Sequence, residues 1–320
     1  MGNQQSITVN GDLGSGKSTV SRGLAERLGL RRISVGDLYR EMARQRGMTA
    51  LQINLHAELD DAIDGTVDKM QKEIAESGEQ VVMDSRLAWH FFKNGFKVHL
   101  ITEPTAAARR VLGRPANEVE NYATLEEAKQ RLRSRSESER QRFLVRYQAD
   151  KHALRNYDLV CDTTRAGPEE VVDLVVAAIE GRLAVTAPPL LLLDPARIYP
   201  TQEIRALRGL GDTDFVAVTA AAGPDALEPL SVGYADDQFF VVDGHRRLSA
   251  ALQSGFRLVP ATLLAQDDEP LAGGMTARQY LESEVTLSKV YDWDAAHGTE
   301  LPLPPHLTRD VDAMPTPQGA

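Results

Sequence analysis

Gly11-Asp12-Leu13-Gly14-Ser15-Gly16-Lys17-Ser18 follows the apolar run Ile7-Thr8-Val9 and precedes Thr19 to Leu28, whose apolar residues recur at helical spacing. The stretch fits G-x-x-x-x-G-K-[ST] in the setting that gives this pattern meaning, a buried strand before it and a helix after it. Its glycines let the backbone fold around a polyphosphate with N–H groups pointing inward, and the helix N-terminus adds partial positive charge. Gly11, Gly14, Ser15, Gly16, Lys17, Ser18 and Thr19 are therefore the candidate ATP- and phosphate-binding residues, with Lys17 reaching the β/γ-phosphates and Ser18 holding Mg²⁺. A glycine turn with a solvated lysine is the competing reading, and the flanking strand and helix weigh against it.

Outward from this loop, Arg32-Ile33-Ser34-Val35, Gln80 to Asp84, Lys97 to Ile101 and Asp158 to Asp162 read as further short strands. Helical stretches are expected over about Leu38 to Ser77, interrupted near Gly47, over Leu125 to Tyr147, and over Glu169 to Arg182. Strands alternating with helices predict an α/β fold with a parallel sheet covered on both faces. The texture changes near Ala184 to Pro189, where a new apolar run starts at Leu190. The expected organisation is a kinase-type domain over 1–185, a smaller α+β domain over 190–300, and a mobile proline-rich tail over 301–320.

The length of 320 residues fits two domains, and 42% apolar residues supply two cores. One cysteine, Cys161, rules out an intramolecular disulfide, and no Cys/His metal pattern is present. Neither a secretion signal nor an apolar stretch of membrane-spanning length is visible, so a cytoplasmic protein without membrane partners is expected. Residues 1–185 carry 27 Lys+Arg and 27 Asp+Glu, and residues 186–320 carry 9 and 19, which places the whole net charge of −10 in the C-terminal part. That balance disfavours nucleic acid as a partner, a local basic patch aside.

Ligands of an open parallel sheet collect at the C-terminal ends of its strands. Asp84 stands at such an end, where a carboxylate can order the Mg²⁺ hydration shell or accept a proton from an incoming hydroxyl; a helix cap is its plainer reading. Arg86 is placed to hold an acceptor phosphate in bidentate fashion. Six arginines fall within sixteen residues from Arg131 to Arg146. A solvated, salt-bridged helix face accounts for most of them. Arg131, Arg135 and Arg142, at i, i+4 and i+11, are the candidates for a lid closing over the transferring group.

The loop, Ile33 to Ala43, Asp84-Ser85-Arg86-Leu87-Ala88, Ser136 to Phe143 and Tyr157 to Thr164 run in the order found in cytidylate kinases, and the chain resembles the short archaeal-type branch of that family over most of residues 5–182. The resemblance implies a P-loop nucleoside monophosphate kinase using ATP and Mg²⁺. By it, Ser34, Asp37 and Arg40 would lie at the acceptor nucleotide, Arg86 would contact its phosphate, and Lys17, Asp84, Arg131, Arg135 and Arg142 would be catalytic. Two departures bear on substrate identity. Asp84-Ser85-Arg86, followed by the bulky Trp89-His90-Phe91-Phe92, replaces the family's Glu-Gly-Arg, and Tyr147-Gln148-Ala149-Asp150 replaces Tyr-Gly-Ile-Asp.

Phe239 to Leu252 reads as a strand, a tight turn and a helix start, and with Leu193 to Gln202 and Gly255 to Ala261 it resembles the ParB/sulfiredoxin-like fold over about 190–265. Asp243, Gly244, His245, Arg246 and Arg247 form a candidate anion site, with His245 as a polar turn residue rather than a catalyst. A nucleotide- or small-molecule-binding module is the expectation for this domain. The expected activity of the whole is ATP-dependent phosphoryl transfer to a pyrimidine nucleoside monophosphate of CMP or dCMP type. The alternatives are a kinase for another hydroxyl, on a modified base in DNA or a free metabolite, and a nucleotide-gated adaptor.

Overall fold

The computed structural model describes residues 5–48, 61–113, 122–181, 189–207 and 213–312. They fall into two compact units, Met1–Pro189 and Leu190–Ala320.

The first unit contains β1 (Ile7–Gly11), α1 (Lys17–Leu28), β2 (Arg31–Ser34), α2 (Val35–Gln45), α3 (Asp61–Glu76), β3 (Val81–Asp84), α4 (Ala88–Phe91), β4 (Phe96–Ile101), α5 (Pro104–Leu112), α6 (Leu125–Tyr147), β5 (Leu159–Asp162) and α7 (Pro168–Ile179). The strands lie in the order β2-β3-β1-β4-β5, all parallel, with Val9 opposite Asp84 on one side and Val98 on the other. Their side chains are buried on both faces, as at Ile7, Val9, Val81, Met83, Val98, Leu100 and Leu159, which is why these strands read as unbroken apolar runs. On one face α1 packs against α7, where Gly23 admits Val172: a Cβ at Gly23 would lie 2.8 Å from its Cγ2. Elsewhere Ala107, Ala108 and Val111 of α5 meet Ala128 and Leu132 of α6. Ile33, Met83, Ala88 and Phe92 form another cluster, joined by Ile74 of α3. The expected strands and α6 match these elements closely. The expected stretch Leu38 to Ser77 is α2 and α3, and residues 49–60 between them lie outside the described residues.

The second unit contains β6 (Leu190–Leu193), β7 (Ile198–Tyr199), α8 (Thr213–Ala222), β8 (Leu230–Ala235), β9 (Gln238–Asp243), α9 (His245–Gln253), β10 (Val259–Gln266), α10 (Ala277–Glu284), α11 (Leu287–His297) and α12 (Pro305–Asp312). Its strand order is β6-β10-β8-β9-β7, with β10/β8 and β9/β7 parallel and the other pairs antiparallel. Asp236 and Asp237 join β8 to β9 with φ of 51° and 62°, the left-handed pair that a two-residue hairpin turn requires. The proline-rich segment from Leu301, expected as a mobile tail, instead continues the unit as far as residue 312. Leu301 and Leu307 are buried and α12 starts at Pro305, so apolar contact outweighs the local signal of the prolines. Residues 313–320 lie outside the described residues. Among the described residues no helix is long and apolar enough to cross a membrane, and no His/Cys/Asp/Glu group could hold a metal ion by itself.

Candidate active site

The turn between β1 and α1 is shaped by two left-handed glycines, Gly14 at φ 84° and Gly16 at φ 83°. A Cβ at Gly14 would strike Ala107 of α5 at 2.8–2.9 Å, whereas a Cβ at Gly16 would meet nothing within 4 Å. The loop is therefore packed on its Gly14 side and open at Gly16. Ser15 is buried, and its Oγ has no hydrogen-bond partner. Thr19 N–H donates to Gly16 O at 2.9 Å, and Ser18 and Thr19 stand exposed at the start of α1.

Lys17 extends to the end of β3, its Nζ 3.2 Å from Asp84 Oδ1. Asp84 is 3% exposed. Its Oδ2 accepts from Ser21 Oγ at 3.2 Å and from Arg32 Nη2. Arg32 also donates through Nε to Ser21 Oγ at 2.8 Å and through Nη1 to Asp37 Oδ2 at 3.1 Å. Ser34 Oγ in turn accepts from Asp37 N–H at 3.3 Å, so Ser34 and Asp37 belong to the same polar patch. The side chain of Arg40 lies outside the described residues. Burial opposes ionisation of Asp84, but Lys17 and Arg32 together outweigh it and hold the carboxyl below its ordinary range. Burial lowers the Lys17 ammonium, and the Asp84 carboxylate works against that shift.

Two residues beyond Asp84, Arg86 turns to Glu139 of α6 and donates to its Oε1 through Nη1. Glu139 is 4% exposed and draws in two more cations, Arg135 Nε at 3.4 Å and Lys151 Nζ at 3.5 Å. Lys151 also donates to Ser136 Oγ at 2.9 Å. Burial would raise the Glu139 carboxyl; Arg86, Lys151 and Arg135 override it and the carboxyl is held low. Burial lowers Arg86, the carboxylate of Glu139 opposes this, and the nearby charges of Arg135 and Arg142 add to it. Of the three proposed lid arginines, Arg135 and Arg142 thus approach Arg86. Arg131 is not brought there: its side chain is 65% exposed and pairs with Glu127 one turn back, 2.9 Å away. The i, i+4 spacing that put Arg131 beside Arg135 served equally well to give it a carboxylate partner on its own helix.

Sequence reading missed four residues of this region: Arg32, Arg110, Glu139 and Lys151. Arg110 of α5 braces the loop, donating to Gly14 O at 3.3 Å and to the carbonyls of Thr163 and Thr164. Glu139, four residues from Arg135, and Arg32, five residues from Asp37, left a usable local signal; Arg110 and Lys151 meet these partners across longer separations. Beneath the loop, Asn10 Nδ2 donates to Tyr157 OH and to His99 Nδ1, 3.0 Å away. The His99 and Tyr157 rings stack at 4.5 Å. Burial, aided by His152, Lys151 and Lys17 nearby, pushes His99 down to about 3 and keeps it neutral.

In the second unit, Gly244 has φ 103° and precedes α9, but the candidate anion site is largely occupied by its own protein. Arg247 donates to Pro229 O at 2.8 Å, to Glu228 O at 3.1 Å and to Asp243 Oδ2 at 2.8 Å. Arg246 lies over the Phe215 ring at 5.0 Å. His245 is buried, its Nε2 accepts from Thr201 N–H at 3.2 Å, and burial pushes it down to about 4, as suits a neutral structural residue. The two adjacent arginines, expected to face one ligand, diverge because successive helical positions point about 100° apart.

A family model described as AAA domain matches residues 7–151. A cytidylate kinase of Natronomonas pharaonis is 38% identical over 175 residues, covering 54% of this chain and 88% of that protein. A cytidylate kinase of Archaeoglobus fulgidus is 35% identical over 175 residues, covering 54% and 94%. A crystal structure of shikimate kinase from Bacteroides thetaiotaomicron aligns with a TM-score of 0.42 and 18% identity, over 55% of this chain and 98% of that one. The parallel sheet, the phosphate-type loop after its central strand and the two cytidylate kinase relatives define a P-loop kinase. Through its N-terminal half, the chain belongs to the cytidylate kinase family.

Proposed function

We propose that residues 1–185 form the kinase domain and transfer the γ-phosphoryl group of ATP to a pyrimidine nucleoside monophosphate of CMP or dCMP type. The observation that carries this reading is that one strand end gathers two sets of cations: Asp84 holds Lys17 of the loop, and Arg86, two residues on, lies among Arg135, Arg142 and Lys151. In-line phosphoryl transfer needs donor and acceptor phosphates held close under positive charge, because catalysis here is positioning and neutralisation. The open space at Gly16 and the unpartnered hydroxyl of Ser15 fit a polyphosphate against the loop. Lys17 would leave Asp84 for the β/γ-oxygens, and Ser18 would hold Mg²⁺, which would supply neutralisation of the charge on the phosphates. Asp84, freed of Lys17 and ionised, would then orient the acceptor side or accept its proton. Arg86 would bind the acceptor phosphate, Arg135 and Arg142 would steady the transferring group, and Ser34 and Asp37 would face the acceptor nucleoside.

The Ser85 substitution need not close the acceptor site, since its hydroxyl turns away to Gln71 Oε1 of α3 at 2.6 Å. For residues 190–300 we infer a nucleotide- or small-molecule-binding module of ParB/sulfiredoxin-like type; the left-handed Gly244, which starts α9 without a side-chain cap, supports it, while Arg247 is committed to structure. The test is ADP release from MgATP with CMP, dCMP, UMP, dUMP, free serine and DNA as acceptors, for the full chain, Lys17→Ala and Arg86→Ala. Stimulation by a pyrimidine monophosphate, lost in Lys17→Ala and shifted to a higher acceptor KM in Arg86→Ala, supports the proposal. Stimulation only by serine or DNA would overturn it.

A further inference from the structure

Glu139 is a buried carboxylate at the point where three cations from three parts of the chain converge: Arg86 after β3, Arg135 on α6 and Lys151 after α6. A carboxylate buried at that depth is costly unless fully compensated, and an arginine and lysine cluster without an anion would repel itself. Here each requirement meets the other. Arg142 bears on Arg86 as a further like charge. Arg86 meets Glu139 through Nη1, and its planar guanidinium is the group best suited to recognise phosphate oxygens.

We propose that Glu139 is a built-in substitute for a phosphate dianion: it holds Arg86, Arg135 and Lys151 together while the site is empty, and an incoming acceptor phosphate takes Arg86 and Arg135 from it. This deepens the kinase reading by assigning the resting state of its acceptor-phosphate site, and rests on that reading for the substrate. Glu139 is a positioning residue, acting on the substrate through the arginines. Its exchange with phosphate has a cost and a benefit. Each phosphate must displace a preformed ion pair, which weakens binding, but the cations are never left dispersed and unpaired, which keeps the site folded.

Opposite signs therefore follow for stability and for anion affinity when the charge is removed. In Glu139→Gln without added anion, the thermal midpoint should fall, because Arg86, Arg135 and Lys151 lose the carboxylate they share. Inorganic phosphate should restore it, and the half-saturating phosphate concentration should drop about tenfold relative to wild type, the size expected on losing one close competing charge. Because the loop at Lys17 also takes phosphate, the titration is repeated in Arg86→Ala and in Glu139→Gln/Arg86→Ala; the gain in affinity should vanish when Arg86 is absent. A structural role alone would lower the midpoint without raising phosphate affinity, and unchanged or weaker phosphate binding in Glu139→Gln overturns the proposal. If Glu139→Gln does not fold, Glu139→Asp, which withdraws the carboxylate by one methylene, should raise phosphate affinity about threefold by the same logic, and no gain there overturns it equally. These readouts use no nucleotide turnover, so they stand if the CMP-type acceptor assignment fails. With CMP, Glu139→Gln should lower the acceptor KM more than it changes the KM for ATP.

Discussion

Gly14 and Gly16 share a left-handed backbone and adjoin the same phosphate-type loop, yet their replacement by alanine should fail in different ways. Both substitutions force a Cβ into the left-handed region, at about 1–2 kcal/mol. At Gly16 nothing lies within 4 Å, so this is the whole stability cost. At Gly14 the new Cβ would lie 2.8 Å from Ala107 Cα, 2.9 Å from its Cβ and 2.9 Å from its carbonyl oxygen. Backbone atoms of a capped helix cannot swing aside as a flexible side chain can, and overpacking of this kind adds about 1–3 kcal/mol. Gly14→Ala should therefore lose about 2–5 kcal/mol and Gly16→Ala about 1–2 kcal/mol. Binding should rank in the reverse order of selectivity: Gly16→Ala keeps a near-native fold but places a methyl group in the open mouth of the loop, where the phosphates would approach. Urea unfolding with far-UV circular dichroism measures the first quantity, and MgATP titration of the folded variants the second. Equal destabilisation by the two substitutions, or undiminished ATP binding by Gly16→Ala, would refute the reasoning.

Gln148 ends α6 in the left-handed region at φ 52°, where its N–H caps Leu144 and Phe143 carbonyls. Gln148→Gly should stabilise the first unit by about 1 kcal/mol, raising the urea midpoint at unchanged slope; a fall would show that the side chain matters more than the backbone. His99 is held at about 3 against an ordinary 6.5. Between those values the unfolded chain binds the proton and the folded one does not, so stability should drop as pH falls through this window, by up to about 1.4 kcal/mol per pH unit. His99→Gln should flatten that slope, and parallel slopes for the two proteins would remove His99 as a cause. In the second unit, Arg247→Ala strands two backbone carbonyls and should cost about 1–3 kcal/mol, whereas Arg246→Ala loses a ring contact worth about 0.5–1 kcal/mol; comparable thermal midpoints would contradict the assignment.

Much of the first unit was legible because its signals are local. Each parallel strand, buried on both faces, appears as a short apolar run, and the loop between β1 and α1 is written in glycines whose conformation few other residues adopt. The capped ends of α6 fell where Thr124 and Gln148 stand, matching the expected Leu125 to Tyr147. Prolines misled at Leu301 to Pro305, because a proline can begin a helix as readily as it ends one and burial of Leu301 and Leu307 was invisible in one dimension.

The sequence by itself determined the order of strands and helices, the position of the phosphate-type loop and the residues at strand ends, since each depends on neighbours a few positions away. Only the tertiary structure decided which charges meet. Arg86 and Glu139 are 53 positions apart, Arg32 and Asp84 are 52, and Arg110 reaches Gly14 across 96. Among the arginines of α6, Arg135 lies with the buried cluster while Arg131 pairs in solvent with Glu127. The physical reason is that helical periodicity fixes the angle at which a side chain leaves its helix, but what waits at that angle is set by chain folding back from far away.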